Sequence, residues 1–426
     1  MSSKANYTSL GDICCDVSYG YTESATNEAV GPKFLRITDI QGGTFDWGSV
    51  PYCPATDVNA KKYALKVGDI VIARTGNSTG ENAQLANEPP PAVFASYLIR
   101  FRPDASRVNP FFVGYQLRTE RFRQYVLAVR SGSAQPGANA KQLGAFPVEL
   151  IDRDLQDDAV EILRTLDDRI TLLRETNATL EAIAQALFKS WFVDFDPVHA
   201  KAEGRQPEGM DATTAALFPD SFEESELGLV PKGWRYVSLK EVTAIFDSQR
   251  VPLSGQERDK RKGIYPYYGA AALMDWVDSY LFDGVYLLLG EDGSVADAAG
   301  YPVTQYVWGK IWVNNHAHVL QGKSGVTTEH LMLALQQTII TPYITGAVQA
   351  KLSQSNMWRI PFLRSSQEVS EAFGEAVTPL FISIRRNYEQ AQTLTQLRDT
   401  LLPRLIAGQL RLPEVQALLN DRDTAQ

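Results

Sequence analysis

The chain has 426 residues, 44% of them apolar and 21% charged, with a formal net charge of −9 at pH 7. That length exceeds what one core serves and suits two or three domains. With no run of 18 apolar residues, no basic-then-apolar start and only Cys14, Cys15 and Cys53, it predicts no membrane span, secretory signal or disulfide framework, and fits the cytoplasm.

The charge is unevenly spread. Residues 1–150 hold 15 Lys and Arg against 13 Asp and Glu, and residues 231–365 hold 13 against 11. The surplus of negative charge lies between them, with 5 against 11 over 151–200 and 2 against 7 over 201–230. Two mildly basic blocks are weak evidence of DNA binding by themselves, because a pI above about 9 is the usual footprint.

In chain order, residues 1–150 read as a mixed α/β block. Val67–Ala73 leads from a turn into a strand, and Val93–Phe101 is a second strand candidate. Asn109-Pro110 opens a helical stretch to Val129, followed by a Gly-, Ser- and Asn-rich loop over 131–140. Residues 151–198 form a long helix and its close, 199–230 a mobile acidic linker, and 231–365 a second α/β block. In that block Val285–Leu289 and Lys310–Leu320 read as strands, Thr328–Thr345 as a helix and Gly346–Ser355 as a loop. A second long helix covers 366–412, and 413–426 is a tail.

The blocks repeat one another. Adding 214 carries Gly76 to Gly290, Gly132 to Gly346, Gln135 to Gln349, Pro147 to Pro361 and Leu187 to Leu401. Upstream, Tyr7-Thr8-Ser9-Leu10 matches Tyr236-Val237-Ser238-Leu239 at a shift of 229. This is a duplicated unit of domain plus helix, much longer than a solenoid repeat.

Both helices carry heptad seams. Leu163, Leu166, Ile170, Leu173, Leu180, Ala184 and Leu187 alternate at spacings of four and three, with Asn177 in the gap. Val377, Leu380, Ile384, Ala391, Leu394, Leu401 and Leu405 do the same, interrupted by Asn387 and Arg398. Each helix would span roughly 60 Å. Setting Asn177 opposite Asn387 in an antiparallel pair places Leu163 by Leu401, Ile170 by Leu394, Leu173 by Ala391 and Leu180 by Ile384. An Asn layer penalises slipped registers, because a shifted amide loses its partner. The competing arrangement packs each helix only on its own block.

Leu187-Phe188-Lys189-Ser190-Trp191-Phe192-Val193-Asp194-Phe195-Asp196-Pro197-Val198 resembles the central segment of type I restriction–modification DNA specificity subunits. Leu397–Leu410 is similar to their C-terminal segment, and Leu35–Ile40 and Tyr265–Ala270 to the openings of their target-recognition domains. The resemblance implies two similar α/β recognition domains separated by two long helices packed as an antiparallel coiled coil. It implies no catalysis in this chain: each domain reads half of a split DNA sequence, and the helices set the gap. S-adenosylmethionine would be held by two modification subunits docked mainly on the helices, and ATP and Mg by restriction subunits that join them. Trp191, Phe192 and Phe195 suit either that docking or packing within the chain. A structural adaptor, joining proteins through its coiled coil, is the alternative.

Catalytic motifs are not found. Asn109-Pro110-Phe111-Phe112 lacks the second proline of a methyltransferase turn, and no glycine run matches a Walker or dinucleotide loop. Glu291-Asp292-Gly293 reads as a turn, and His316 and His318, sharing a strand face, lack a third metal ligand. Base readout needs donors and acceptors on loops that approach closely. The candidates are Arg36, Arg74, Thr75, Asn77, Ser78, Gln135, Asn139 and Lys141 in the first block, and Arg250, Tyr267, Tyr268, Asn314, Asn315, Gln349 and Lys351 in the second.

Overall fold

Each half of the chain begins with a short strand that pairs antiparallel with the strand leading into its long helix. Asn6–Ser9 pairs with Pro147–Leu150, Ser9 opposite Pro147. Arg235–Ser238 pairs with Pro361–Arg364, Ser238 opposite Pro361. The computed structural model describes residues 6–41, 45–131, 136–346 and 349–410. Their contacts divide into two units: residues up to Thr171 with those from Gln392 onward, and Leu172–Ala391.

In the first unit Cys14–Tyr19, Leu98–Pro103, Ile70–Ala73 and Asn82–Gln84 form one antiparallel sheet in that order, and Lys33–Leu35 runs parallel to Ala92–Phe94. The run Ile70-Val71-Ile72-Ala73 is apolar throughout because both faces of the sheet are covered. Ile70 and Ile72 pack with Leu10, Phe101, Phe122 and Phe146, while Val71 and Ala73 pack with Leu35, Val50 and Phe94.

The second unit uses the same plan in one six-stranded sheet: Thr243–Ile245, Ala317–Gly322, Phe282–Gly290, Thr304–Val313, Lys262–Tyr268, Leu273–Val277. Leu287 and Leu289 face one core, and Leu288 the other. The expected strand Lys310–Leu320 is two strands, because Asn314 Oδ1 accepts from the His316 N–H and turns the chain. The helix expected through Val129 likewise breaks at Arg118-Thr119 into Pro110–Leu117 and Glu120–Val129.

The long helices run Arg153–Phe192 and Gln367–Ile406, 40 residues each and offset by 214 at both ends. Within each unit they meet antiparallel. In the first, Ala159, Leu163 and Leu166 share a cluster with Leu401, Leu402 and Leu405. In the second, Ala184 and Phe188 pack with Val377, Phe381 and Ile384. Asn387 Nδ2 donates to Asn177 Oδ1 at 2.9 Å, as the sequence register requires. The helices also hold the blocks: Asp167 accepts from Tyr115 at 2.9 Å, Arg118 at 3.0 Å and Arg398 at 2.8 Å.

Residues 199–230 differ from the expected mobile linker. They carry a helix over Ala212–Ala216 capped by Asp211, and a hairpin of Phe222–Ser225 with Gly228–Pro231. Phe218 is buried and meets the Trp191 ring edge-on at 5.0 Å. The acidic composition hid these few apolar anchors.

Candidate nucleic-acid interface

The first unit brings its two candidate loops into one surface. Gly76 N–H donates to the Pro136 carbonyl at 2.8 Å and Ala138 N–H to the Arg74 carbonyl at 2.9 Å. Gly76 holds φ +73°, a conformation glycine adopts without strain. Thr79 Oγ1 ties both loops by donating toward the carbonyls of Gly76 and Pro136. Arg74 donates through Nε to the Ser96 carbonyl at 3.0 Å, and its guanidinium lies 5.0 Å from the Tyr19 ring centroid. Stacking on an aromatic face orients such a fork while leaving outer N–H groups to reach a base edge.

Around Arg74 lie Thr75 and Ser78, partly exposed, and Asn77, exposed. Asn139 is exposed, but its Oδ1 caps the helix Ala140–Gly144, which leaves chiefly its amide N–H groups to donate outward. Lys141 is exposed two residues on. Gln135 falls outside the described residues. Arg36 stands apart: its guanidinium makes a two-point ion pair with Asp39 and caps a helical turn, a local structural role. Tyr19, whose hydroxyl accepts from Ala140 N–H, and the exposed Tyr97 complete the surface. Sequence reasoning missed both; the exposed end of an alternating strand was the available signal for Tyr19.

The second unit repeats this loop pair at a different offset. Gly293 N–H donates to the Ala350 carbonyl at 3.0 Å, and Leu352 N–H to the Glu291 carbonyl at 2.8 Å. Ser131 and Gly137 exchange backbone hydrogen bonds in the first unit, and Thr345 and Lys351 do so here. Gly293 has φ +77°. The counterpart of Arg74-Thr75-Gly76 is therefore Glu291-Asp292-Gly293, and Gly76 corresponds to Gly293 rather than to the expected Gly290. The offset is 217 in the strand and loop and 214 beyond.

The charge at this loop is reversed. Glu291 accepts from Arg250 at 2.8 Å and lies 3.6 Å from Lys351, while Asp292 Oδ1 meets His316 Nδ1. Arg250 is only 12% exposed and also pairs with Asp247 at 3.2 Å, so it holds the loops together and is not placed to read DNA as expected. His318 is buried, with Nδ1 on Asp247 at 2.6 Å and Nε2 on the Leu352 carbonyl at 2.8 Å, whereas His316 is half exposed, so the two do not share a face. Asp247, Glu291 and His318 are close enough to ligate one cation. The guanidinium of Arg250 already fills that role for both carboxylates, and both His318 nitrogens are engaged.

The other candidates divide by burial. Tyr267 is 1% exposed with its hydroxyl on the Leu253 backbone, and Asn314 is buried in its turn, so both are structural. Burial raises the Tyr268 phenol above its ordinary pKa, and the ring is partly exposed. Asn315, Gln349 and Lys351 are exposed beside the loop pair. Trp191 and Phe192 are core residues, packed on Phe373 at 5.5 and 4.9 Å, and Phe195 contacts Phe222 and Trp234. Of the two readings for these aromatics, internal packing is the one seen. Among the described residues no helix is long and apolar enough to cross a membrane.

Residues 231–362 match the family model described as the type I restriction modification DNA specificity domain. The specificity subunit of the type I restriction enzyme HindI from Haemophilus influenzae is 25% identical, across 94% of this chain and 98% of its own length. Over nearly its whole length the chain is similar to a type I restriction enzyme specificity subunit, and its second block matches the domain of that name. A further relative is the MjaIX specificity subunit of Methanocaldococcus jannaschii, 21% identical over 71% of this chain and 70% of its own. The fold is that of the S subunit from M. genitalium, with TM-score 0.57 and 16% identity, covering 94% of this chain and 96% of that one. The matched residues run from just before the strand Arg235–Ser238 into its partner Pro361–Arg364.

Proposed function

We propose that this chain is the non-catalytic DNA-specificity subunit of a cytoplasmic type I restriction–modification complex. Each block reads one half of a split target, and the helix pair sets the gap between the halves. The carrying observation is duplication at the level of the loops: two blocks of one plan each present a backbone-bonded loop pair, kept in shape by a positive-φ glycine and edged by exposed polar side chains. Such an edge supplies both phosphate contacts and base contacts. The mild basicity of the blocks leaves part of the phosphate neutralisation to other subunits. Modification subunits would bring the S-adenosylmethionine and restriction subunits the ATP and Mg; the helix faces not used against the blocks are the surface available to them.

The test is selection from a randomised duplex library by the full chain together with its modification subunits. Two short sequences separated by a fixed, unread gap are expected. Enrichment of a single continuous sequence, or of none, would replace this reading with that of a protein adaptor.

A further inference from the structure

We propose that Asp292 is a specificity-determining residue of the second block, accepting a hydrogen bond from an exocyclic amino group of a base. The inference rests on the reading of the loop pairs as DNA-contacting edges. The two loops are the same backbone structure: Gly76 to Pro136 matches Gly293 to Ala350, and Ala138 to Arg74 matches Leu352 to Glu291. Equivalent loops should approach equivalent positions of their half-sites. Their chemistry is opposite, however. The first presents a guanidinium and the Thr75 hydroxyl, suited to the acceptor edge of guanine. The second presents two carboxylates, which can only accept when ionised and so select the amino groups of cytosine or adenine.

Of the two carboxylates, Glu291 is taken up by Arg250 and Lys351. Asp292, partly buried with 19% of its side chain exposed, is held at one oxygen by the exposed His316, and its Oδ2 has no hydrogen-bond partner among the described residues. An oriented carboxylate whose second oxygen makes no hydrogen bond within the described residues can accept from a base-edge amine. Approach to a phosphate backbone would repel it; the exposed Lys351 of the partner loop and the neighbouring His316 are the groups beside it that reduce that repulsion.

The full chain with its modification subunits is used to select from a randomised duplex library, and the enriched half-sites are sequenced. Asp292→Asn should reduce the preference at one base pair of one half-site by roughly 10-fold, leaving the other half-site unchanged. Asp292→Thr, which copies Thr75, should do the same and serves if the amide variant fails to fold. Arg74→Gln should alter only the other half-site. Retention of every wild-type preference by a folded Asp292 variant, or a change spread over both half-sites, overturns the proposal. A wild-type chain that enriches no split sequence overturns the DNA-specificity reading instead.

Discussion

Asn387 donates its amide to Asn177 across the seam of the two long helices, and Asn177 in turn donates to the Ile384 carbonyl at 3.0 Å. Asn177 thereby uses both its oxygen and its amide N–H in the seam, and Asn387 is tied to it. Asn177→Leu alone strands the Asn387 side chain and should lower stability by about 1–3 kcal/mol in urea unfolding. The double change to Leu should recover most of that loss, because a matched apolar layer leaves no unpaired group.

The register also predicts how the helix pair tolerates extension. One heptad inserted between Leu173 and Leu180, with a matching heptad between Ile384 and Ala391, keeps each seam in phase. It adds about 10 Å, so the preferred gap should lengthen by about 3 base pairs. Library selection with the extended chain checks this, and neither half-site should change. A heptad in one helix alone should instead destabilise the protein.

Two arginines beside the loop pairs should behave differently. Arg74→Ala should weaken DNA binding by about 1–3 kcal/mol and relax one base position, leaving the unfolding midpoint unchanged. Arg250→Ala should destabilise the fold by about 1–3 kcal/mol, since the partly buried Asp247 and Glu291 would lose the guanidinium they share. Parallel binding and unfolding measurements separate the two outcomes.

His330 provides the pH dependence. Its ring lies among Phe188, Phe192, Phe362 and Phe373, and burial pushes its pKa down to about 3. The unfolded chain binds the proton near 6.5 while the folded chain refuses it, so stability is full above about 6.5 and falls as pH drops toward 3. The slope attributable to this residue reaches at most about 1.4 kcal/mol per pH unit. His330→Leu should flatten the profile between pH 6.5 and 4.5. Asp275, held down to about 2 mainly by its hydrogen bond from Lys262, acts in a lower window, losing its contribution as pH falls below about 3.8. Unfolding midpoints at pH 7, 6 and 5 test the assignment.

The helix pair was legible because heptad spacing and one Asn per helix over-determine a register. The loop 74–80 was legible as a loop because glycines at 76 and 80 supply the positive φ its turns use, while its contact with DNA is the proposal above. What escaped depended on partners distant in sequence. Nothing near Arg250 announces that Glu291 and Asp247 will surround it, and Tyr267 reads as exposed until Leu253 and Trp312 close over it. The offset of 217 escaped because glycines at 76 and 290 coincide at the longer-range spacing of 214. Only the backbone bonds of Gly293 show which glycine turns the loop.

The clasp of first and last strands has a mechanical corollary. Ser9 to Pro147 and Ser238 to Pro361 are fixed neighbours in their units, yet the first enclosed stretch is longer by 15 residues, since its opening shift is 229 and its closing shift 214. Growth or loss of loops inside such a closed bracket ends at the bracket and does not reach the heptads beyond it. Evolution can thus remodel what a block touches without retuning the stem on which it is mounted.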